Sequence, residues 1–246
     1  MTPSTGGPVP LDDLALARLR VDALFTRDAR GDLVSIKELE PEPPPGPAPR
    51  VYLGVTSSGI VRAFRHDVLP EERPAIDQLC AEQPVALENL AAFVSRLEQT
   101  LTRHDTSNIP GEISTGPAFT FPELLAGPAG AVLMRPGQEG PLAVHFPYKV
   151  AWLRECWPCY AIICGGQAVS ICYSSRLTAH VAEAGVDTAP EFRGRGYAVQ
   201  VTAAWAHAIR AAGIAPVYST DAGNHASQAV ARKLGLREFE WDVSID

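Results

Sequence analysis

Basic side chains are scarce in this chain. It carries 21 Lys and Arg against 28 Asp and Glu, a formal net charge of −7. That is not the cationic footprint of a nonspecific nucleic-acid binder, and it suits a cationic or amine-bearing partner better. The first ten residues, MTPSTGGPVP, hold neither a basic stretch nor an apolar core, so they do not read as an export signal. Five cysteines, an odd number, then predict reduced thiols in a cytoplasmic protein. The longest uncharged run, Cys156 to Ser175, has the length of a membrane span. It is interrupted by Pro158, Gly165, Gly166 and several polar residues, and it reads instead as two strands around a Gly165-Gly166 turn. No membrane association is expected.

Metal and nucleotide signatures are missing as well. The six histidines show no H-E-x-x-H or paired spacing. Cys156-Trp157-Pro158-Cys159 follows a predicted helix and precedes a strand, the reverse of the order that activates a redox pair. Cys164 and Cys172 lack finger spacing. These residues read as buried structural cysteines, and no metal is expected. There is no Walker A loop and no complete G-x-G-x-x-G.

What is present describes a folded α/β protein. Of the 246 residues, 46% are hydrophobic and 20% charged, which fits one large domain or two small ones. Helices are predicted over Leu11–Phe25, Glu71–Glu82 and Leu87–Leu101 from their apolar spacing. A short strand over Leu33–Ile36 is followed by the stiff, proline-rich segment 41–49, read as a rigid loop. Val51–Val55 and Ile60–Phe64 flank a Ser-Ser-Gly hairpin signal. The stretch from about Thr102 to Pro122, punctuated by Pro110-Gly111 and Gly116-Pro117, reads as loop. A strand is predicted at Ala131–Arg135 and a short helix at Pro147–Cys156. From Tyr160 the order becomes regular: strands at Tyr160–Cys164, Ala168–Tyr173 and His180–Val186, a helix over Arg195–Ala212, a strand at Ala215–Thr220, a helix over Asn224–Leu234 and a last strand at Leu236–Val243. Trp205 lies on the apolar stripe of the long helix and is expected in the core. Strands followed by β-α-β-α-β imply a mixed α/β sheet.

The chemistry concentrates between the third of these strands and the long helix. There Arg193-Gly194-Arg195-Gly196-Tyr197-Ala198 can aim backbone N–H groups at one spot. The helix dipole adds positive potential, and the two glycines admit an anion closely. A plain tight turn is the alternative reading of these residues alone. The same six residues resemble the [RQ]-x-x-G-x-[GA] signature of the GCN5-related N-acetyltransferases, the GNAT superfamily. A second stretch, VYSTDAGNHASQAVARKLGL with Asn224, Ser227 and Leu234-Gly235-Leu236, resembles the motif that follows it in that family. The resemblance covers about residues 115–246. It implies a GNAT domain there and is silent on residues 1–110, which are read from size and class as a smaller α/β part bordering the acceptor site or a homodimer interface.

The resemblance also implies roles. Acetyl-CoA would be the cosubstrate, its pyrophosphate held around Arg193 to Ala198, its pantetheine arm along Val186 and Thr188, with Asn224 and Ser227 reaching it from the second helix. The acceptor would be an amine, on a small molecule or a peptide. An amine of pKa ~10.4 arrives protonated, so a base is needed. Glu183, near the point where the strands of this family splay, is the candidate. Its alternative reading is a strand-edge surface carboxylate. Gly185 was expected to leave room beside it for water and amine. Many family members carry a thiolate-protonating Tyr seven residues after the Asn, where this chain has Ala231. Ala231 keeps open a second reading, a catalytically silent acyl-CoA-binding module.

Overall fold

The computed structural model describes residues 11–38, 44–82, 89–102, 112–125, 127 and 130–246. Residues 1–10, the start of the proline-rich segment, the first residues of the third predicted helix and residues 103–111 of the predicted loop fall outside them. The elements run α1 (Asp13–Leu24), β1 (Phe25–Arg27), β2 (Leu33–Ile36), β3 (Val51–Thr56), β4 (Gly59–Phe64), α2 (Glu72–Ala81), α3 (Leu90–Thr102), β5 (Ile113–Thr120), β6 (Val132–Met134), α4 (Pro147–Val150), β7 (Cys159–Cys164), β8 (Gln167–Leu177), β9 (Val181–Thr188), α5 (Tyr197–Ala211), β10 (Ala215–Ser219), α6 (His225–Lys233) and β11 (Arg237–Ile245). Nine strands form one mixed sheet in the order β4-β3-β11-β5-β10-β9-β8-β7-β6, and β1 and β2 form a separate pair.

The mixed α/β class is as predicted. The β3–β4 hairpin extends the sheet by pairing with β11, so N-terminal and C-terminal residues share one sheet. Helix α1 packs on one face with Val181, Val217 and Ala118. Helices α5 and α6 cover the opposite face, where Trp205 is fully buried beside Phe121 and Ile209. Burying these apolar side chains is worth about 1.5–3 kcal/mol each, and it holds the two layers on the sheet.

One expectation is overturned. Ile113–Thr120 is a central strand, not loop, paired antiparallel with both β11 and β10. Gly116 and Pro117 suggested a turn, but each serves the strand. A Cβ on Gly116 would overlap the Thr220 carbonyl, so glycine lets the end of β10 lie against the strand. The Pro117 carbonyl accepts from the Thr220 N–H at 3.2 Å, and the Thr115 carbonyl from Ala222 at 2.9 Å. The helix predicted to Cys156 is a single turn, Pro147–Val150, followed by further turns to Cys156.

The layers are tied by a buried ionic cluster. Arg20 of α1 is 1% exposed. Its Nε donates to Glu183 of β9 at 2.5 Å, and its other nitrogens meet Asp242 of β11 bidentately. Glu240 of β11 lies 3.2 Å from Arg20 Nη1. The Tyr52 hydroxyl of β3 donates to the Glu240–Asp242 pair, with oxygens at 2.8 and 2.9 Å. One cation faces three carboxylates. Burial, opposed by Arg20 and aided by the Asp242 charge, pushes the Glu240 carboxyl up to about 8, which favours its protonated form. Gly54, opposite Asp242 in the ladder, leaves the space that Glu240 fills.

A pH dependence follows. The folded state keeps the Glu240 proton up to about 8, whereas an unfolded Glu releases it near ~4.3. The stabilising contribution is therefore complete below that lower value and is lost as pH rises toward the folded one, by at most about 1.4 kcal/mol per pH unit. Denaturant titrations from pH 5 to 8 should show the wild type losing stability relative to Glu240→Gln as pH rises. A constant difference would mean that Glu240 does not hold the proton.

Candidate active site

Strand β9 pairs in parallel with β10 only from Val181 to Glu183, opposite Ala215 to Val217. Beyond that point β10 follows β5, through Val217, Tyr218 and Ser219. Strand β9 runs on to Thr188 paired with β8 alone. The two strands therefore part after Val217, and the backbone edge of residues 184–188 faces an opening rather than a ladder.

A cleft of about 500 Å³ lies at this opening on the α5–α6 side. Of the sequence-predicted residues, Val186, Thr188, Arg193, Gly194, Gly196, Tyr197, Ala198, Asn224 and Ser227 all line it. Arg195 does not. Its guanidinium donates to the Glu191 carbonyl at 3.0 Å and stacks over Phe192, 5.1 Å from the ring centre. The Arg193 Nε donates to the Thr188 carbonyl at 3.2 Å, and Thr188 Oγ1 shares a 2.8 Å hydrogen bond with Ser170. Gly194 and Gly196 have φ of +77° and +80°, the left-handed region that favours glycine. A Cβ at either would meet nothing within 4 Å, so both border open space. Gly196 caps α5, whose first-turn N–H groups have no acceptor within the helix. Lys233, which the sequence reading passed over, also lines this cleft. An anion of pyrophosphate size and charge fits such a cradle: open space, free N–H groups, a helix N-terminus and two cations, Arg193 and Lys233.

A second cleft of about 340 Å³ meets the first, sharing Val186, Tyr218, Asn224 and Ser227. It reaches the α1 side of β5 and β11, where Asp242, Ser244 and Ser114 line it. Its described lining holds two carboxylates, Asp221 and Asp242, and no cation. The sequence reading missed this cleft because its residues come from β5, β10 and β11 and converge only through the sheet order.

Glu183 is the last residue of β9 paired with β10 before the strands part. It is 5% exposed, which removes the surface-carboxylate reading, and it lines neither cleft. Arg20 and the Ser219 hydroxyl, at 3.3 Å, both donate to its Oε1. Ser219 lines the second cleft and so links Glu183 to it. The room expected beside Gly185 is filled: a Cβ there would stand 2.5 Å from the Tyr173 ring. Asn224 caps α6, its Oδ1 accepting from the Ser227 N–H at 3.0 Å. Ser227 Oγ lies 2.6 Å from the Tyr218 hydroxyl, which also reaches the Ser227 carbonyl at 3.4 Å. Burial pushes the Tyr218 phenol up to about 12, so it stays a neutral donor. Ala231, one turn beyond Ser227, is fully buried.

Cys156 and Cys159 are buried thiols. Burial raises both thiols, Cys159 to about 12, which is opposite to an activated redox pair. Among the described residues no group of three or more His, Cys, Asp or Glu could hold a metal ion, and no helix is long and apolar enough to cross a membrane.

Residues 158–242 match the family model described as GNAT acetyltransferase. That stretch, about a third of the chain, is similar to the GNAT acetyltransferases. No curated protein matches it. Among solved structures, it is similar to a GCN5-related N-acetyltransferase from Kribbella flavida at 17% identity, covering 93% of this chain and 92% of that one with a TM-score of 0.50. It is also similar to a GNAT-family acetyltransferase from Colwellia psychrerythraea, at 14% identity, 98% and 92% coverage and a TM-score of 0.47. A GNAT-family protein of Novosphingobium aromaticivorans matches at 19% identity over 55% of this chain, with a TM-score of 0.45, and the chain spans 64% of that protein's length. At 17% identity the likeness to the Kribbella flavida protein concerns the fold alone.

The cradle can be tested by charge. Gly196→Glu places a carboxylate in the open space at the anion position. Coenzyme A at about a hundred times its dissociation constant should stabilise the wild type by about 2.7 kcal/mol through mass action. A melting curve should show that shift in the wild type and lose it in the variant. A variant that keeps the full shift would remove the cradle.

Proposed function

We propose that this protein is a GNAT-type N-acetyltransferase that takes its acetyl group from acetyl-CoA and passes it to a small amine. The observation that carries the reading is the pair of clefts meeting where β9 and β10 part. One has the chemistry of an anion cradle, and the other is acidic. When bound, acetyl-CoA would supply an activated acyl carbon. Arg193, the N–H groups from Gly194 to Ala198 and Lys233 would hold its phosphates, and the free edge at Val186 and Thr188 would accompany its amides. The second cleft would receive the amine. Asp242, held bidentately by Arg20, faces that cleft and would bind the ammonium form. The surplus proton would leave through the Ser219 hydroxyl toward Glu183, or to water. Most of the acceleration would come from alignment of amine and acyl carbon.

Ala231 is the observation that favours the second reading, a silent acyl-CoA binder, because it puts a methyl group where many relatives have a phenol. Thiol release from acetyl-CoA across an amine panel separates the two. With the best acceptor, Asp242→Asn should raise KM for the amine about tenfold or more. Glu183→Gln should lower kcat by about 10²–10⁴, the usual worth of a general base, and both should keep the acetyl-CoA melting shift. Turnover of Glu183→Gln within a few-fold of wild type would leave water as the base. A melting shift with no amine turned over would establish the silent binder.

A further inference from the structure

We infer that the acceptor is a polyhydroxylated amine of the amino-sugar class, selected by the hydroxyls of Ser114 and Ser244. The inference rests on the acetyl-transfer reading of the clefts and deepens it. Arg20 holds both oxygens of Asp242 and one of Glu183. Even with Glu240 neutral, this single cation faces two carboxylates, and one negative charge stays uncompensated. Asp242 carries that charge to the second cleft, where Asp221 adds another carboxylate. An ammonium at Asp242 offsets the surplus. Charge alone selects a cation, and does not select among amines.

The rest of the lining does select. Among the described residues of the second cleft, the hydrophobic side chains are Ala184, Val186 and the Tyr218 ring. Ser244 of β11 stands directly opposite Ser114 of β5, and Asp242 directly opposite Gly116. Asp242 and Ser244 are two residues apart, so they share a face of β11 and lie about 7 Å apart along it. The two serines therefore form a rung of hydroxyls beyond the carboxylate, at a distance comparable with the breadth of a sugar ring. Ser219 and Ser227 are engaged with Glu183 and Tyr218. Among the described residues, the Ser114 and Ser244 hydroxyls have no such side-chain partner.

Hydrogen bonding decides between one amine and another. A serine hydroxyl both donates and accepts, and so does each hydroxyl of a sugar ring. A ring with its amine at Asp242 brings its other hydroxyls to the rung and replaces the water it displaces there. An alkyl amine of the same size displaces that water and returns nothing, which leaves polar groups without partners. The transfer step is the same for both. The amine nitrogen bonds the acyl carbon, and the carbon–sulfur bond breaks with its electron pair left on sulfur. The proton that the amine gives up reaches that sulfur through water.

The test compares glucosamine with cyclohexylamine, six-membered rings with and without hydroxyls. Thiol release from acetyl-CoA gives kcat/KM for each amine in the wild type, Ser114→Ala, Ser244→Ala and the double variant. Comparing each variant with the wild type on the same amine cancels the different basicity of the two amines. Each single variant should lose about threefold to tenfold on glucosamine, the worth of one ordinary hydrogen bond. The double variant should lose about tenfold or more, and about threefold or more beyond its loss on cyclohexylamine. The acetyl-CoA melting shift should persist in all three variants, which establishes that they fold. Equal losses on the two amines, or no loss on glucosamine, would overturn the inference. A binding measurement separates it from the reading beneath it. Glucosamine should raise the melting temperature of the wild-type coenzyme A complex, and raise it less in the double variant. If that difference appears while no amine is turned over, the acetyl-transfer reading fails and the ligand class stands. If it is absent as well, the ligand class falls with the reading.

Discussion

The parting of β9 from β10 after Val217 is the constraint on which the rest of the site depends. Backbone N–H and C=O groups at a sheet interior must be paired. A gap there persists only if each strand has another partner to follow. Strand β9 has β8 along its whole length, and β10 has β5. The opening is thus the consequence of two better pairings, and it exposes the strand edge and the Tyr218–Ser227 contact together. The glycine at 116 contributes directly, because a side chain there would push the Thr220 carbonyl away and loosen the grip of β5 on β10.

The Arg20 cluster holds the opposite face against that gap. Its carboxylates come from β9 and β11, on the two sides of β5 and β10, so a single guanidinium spans the strands that border the opening. Buried ion pairs of this kind are weak sources of net stability. Their value here lies in geometry. Asp242 is turned to the acidic cleft while Glu240 is fully buried, where desolvation favours its neutral form. Residues of α1 and β3 thereby hold a side chain of the acidic cleft, whereas the first cleft is lined by β9, the turn that follows it, α5, β10 and α6.

Local signals were legible in the sequence where one segment carries both the motif and its structure. The turn Arg193–Ala198, the cap at Asn224 and the strand–helix alternation from Tyr160 onward are such segments, because capping and helix termination are written within a few residues. Strand β5 was not legible. Glycine and proline punctuate sequences as turns, and only the close approach of Thr220 explains the glycine. Glu183 was placed on the correct strand and beside the opening, yet its burial was invisible, since Arg20 lies 163 positions away. Gly185 misled for the same reason: its missing side chain makes room for Tyr173 of the neighbouring strand rather than for a ligand.

These misses share a cause with the site's design. The acidic cleft draws Ser114 from β5, Ser219 from β10 and Asp242 from β11, segments that adjoin only through the order in which the strands assemble. The cradle for the larger ligand draws on consecutive residues. A shared cosubstrate can be recognised by a short motif, because phosphates present the same charge and shape in every use and a helix N-terminus answers both. An acceptor side built from distant strands can change its side chains one at a time without disturbing that motif. On the proposed reading, the separation of a locally encoded donor cleft from a topologically encoded acceptor cleft would let one fold keep its chemistry while its acceptor varies.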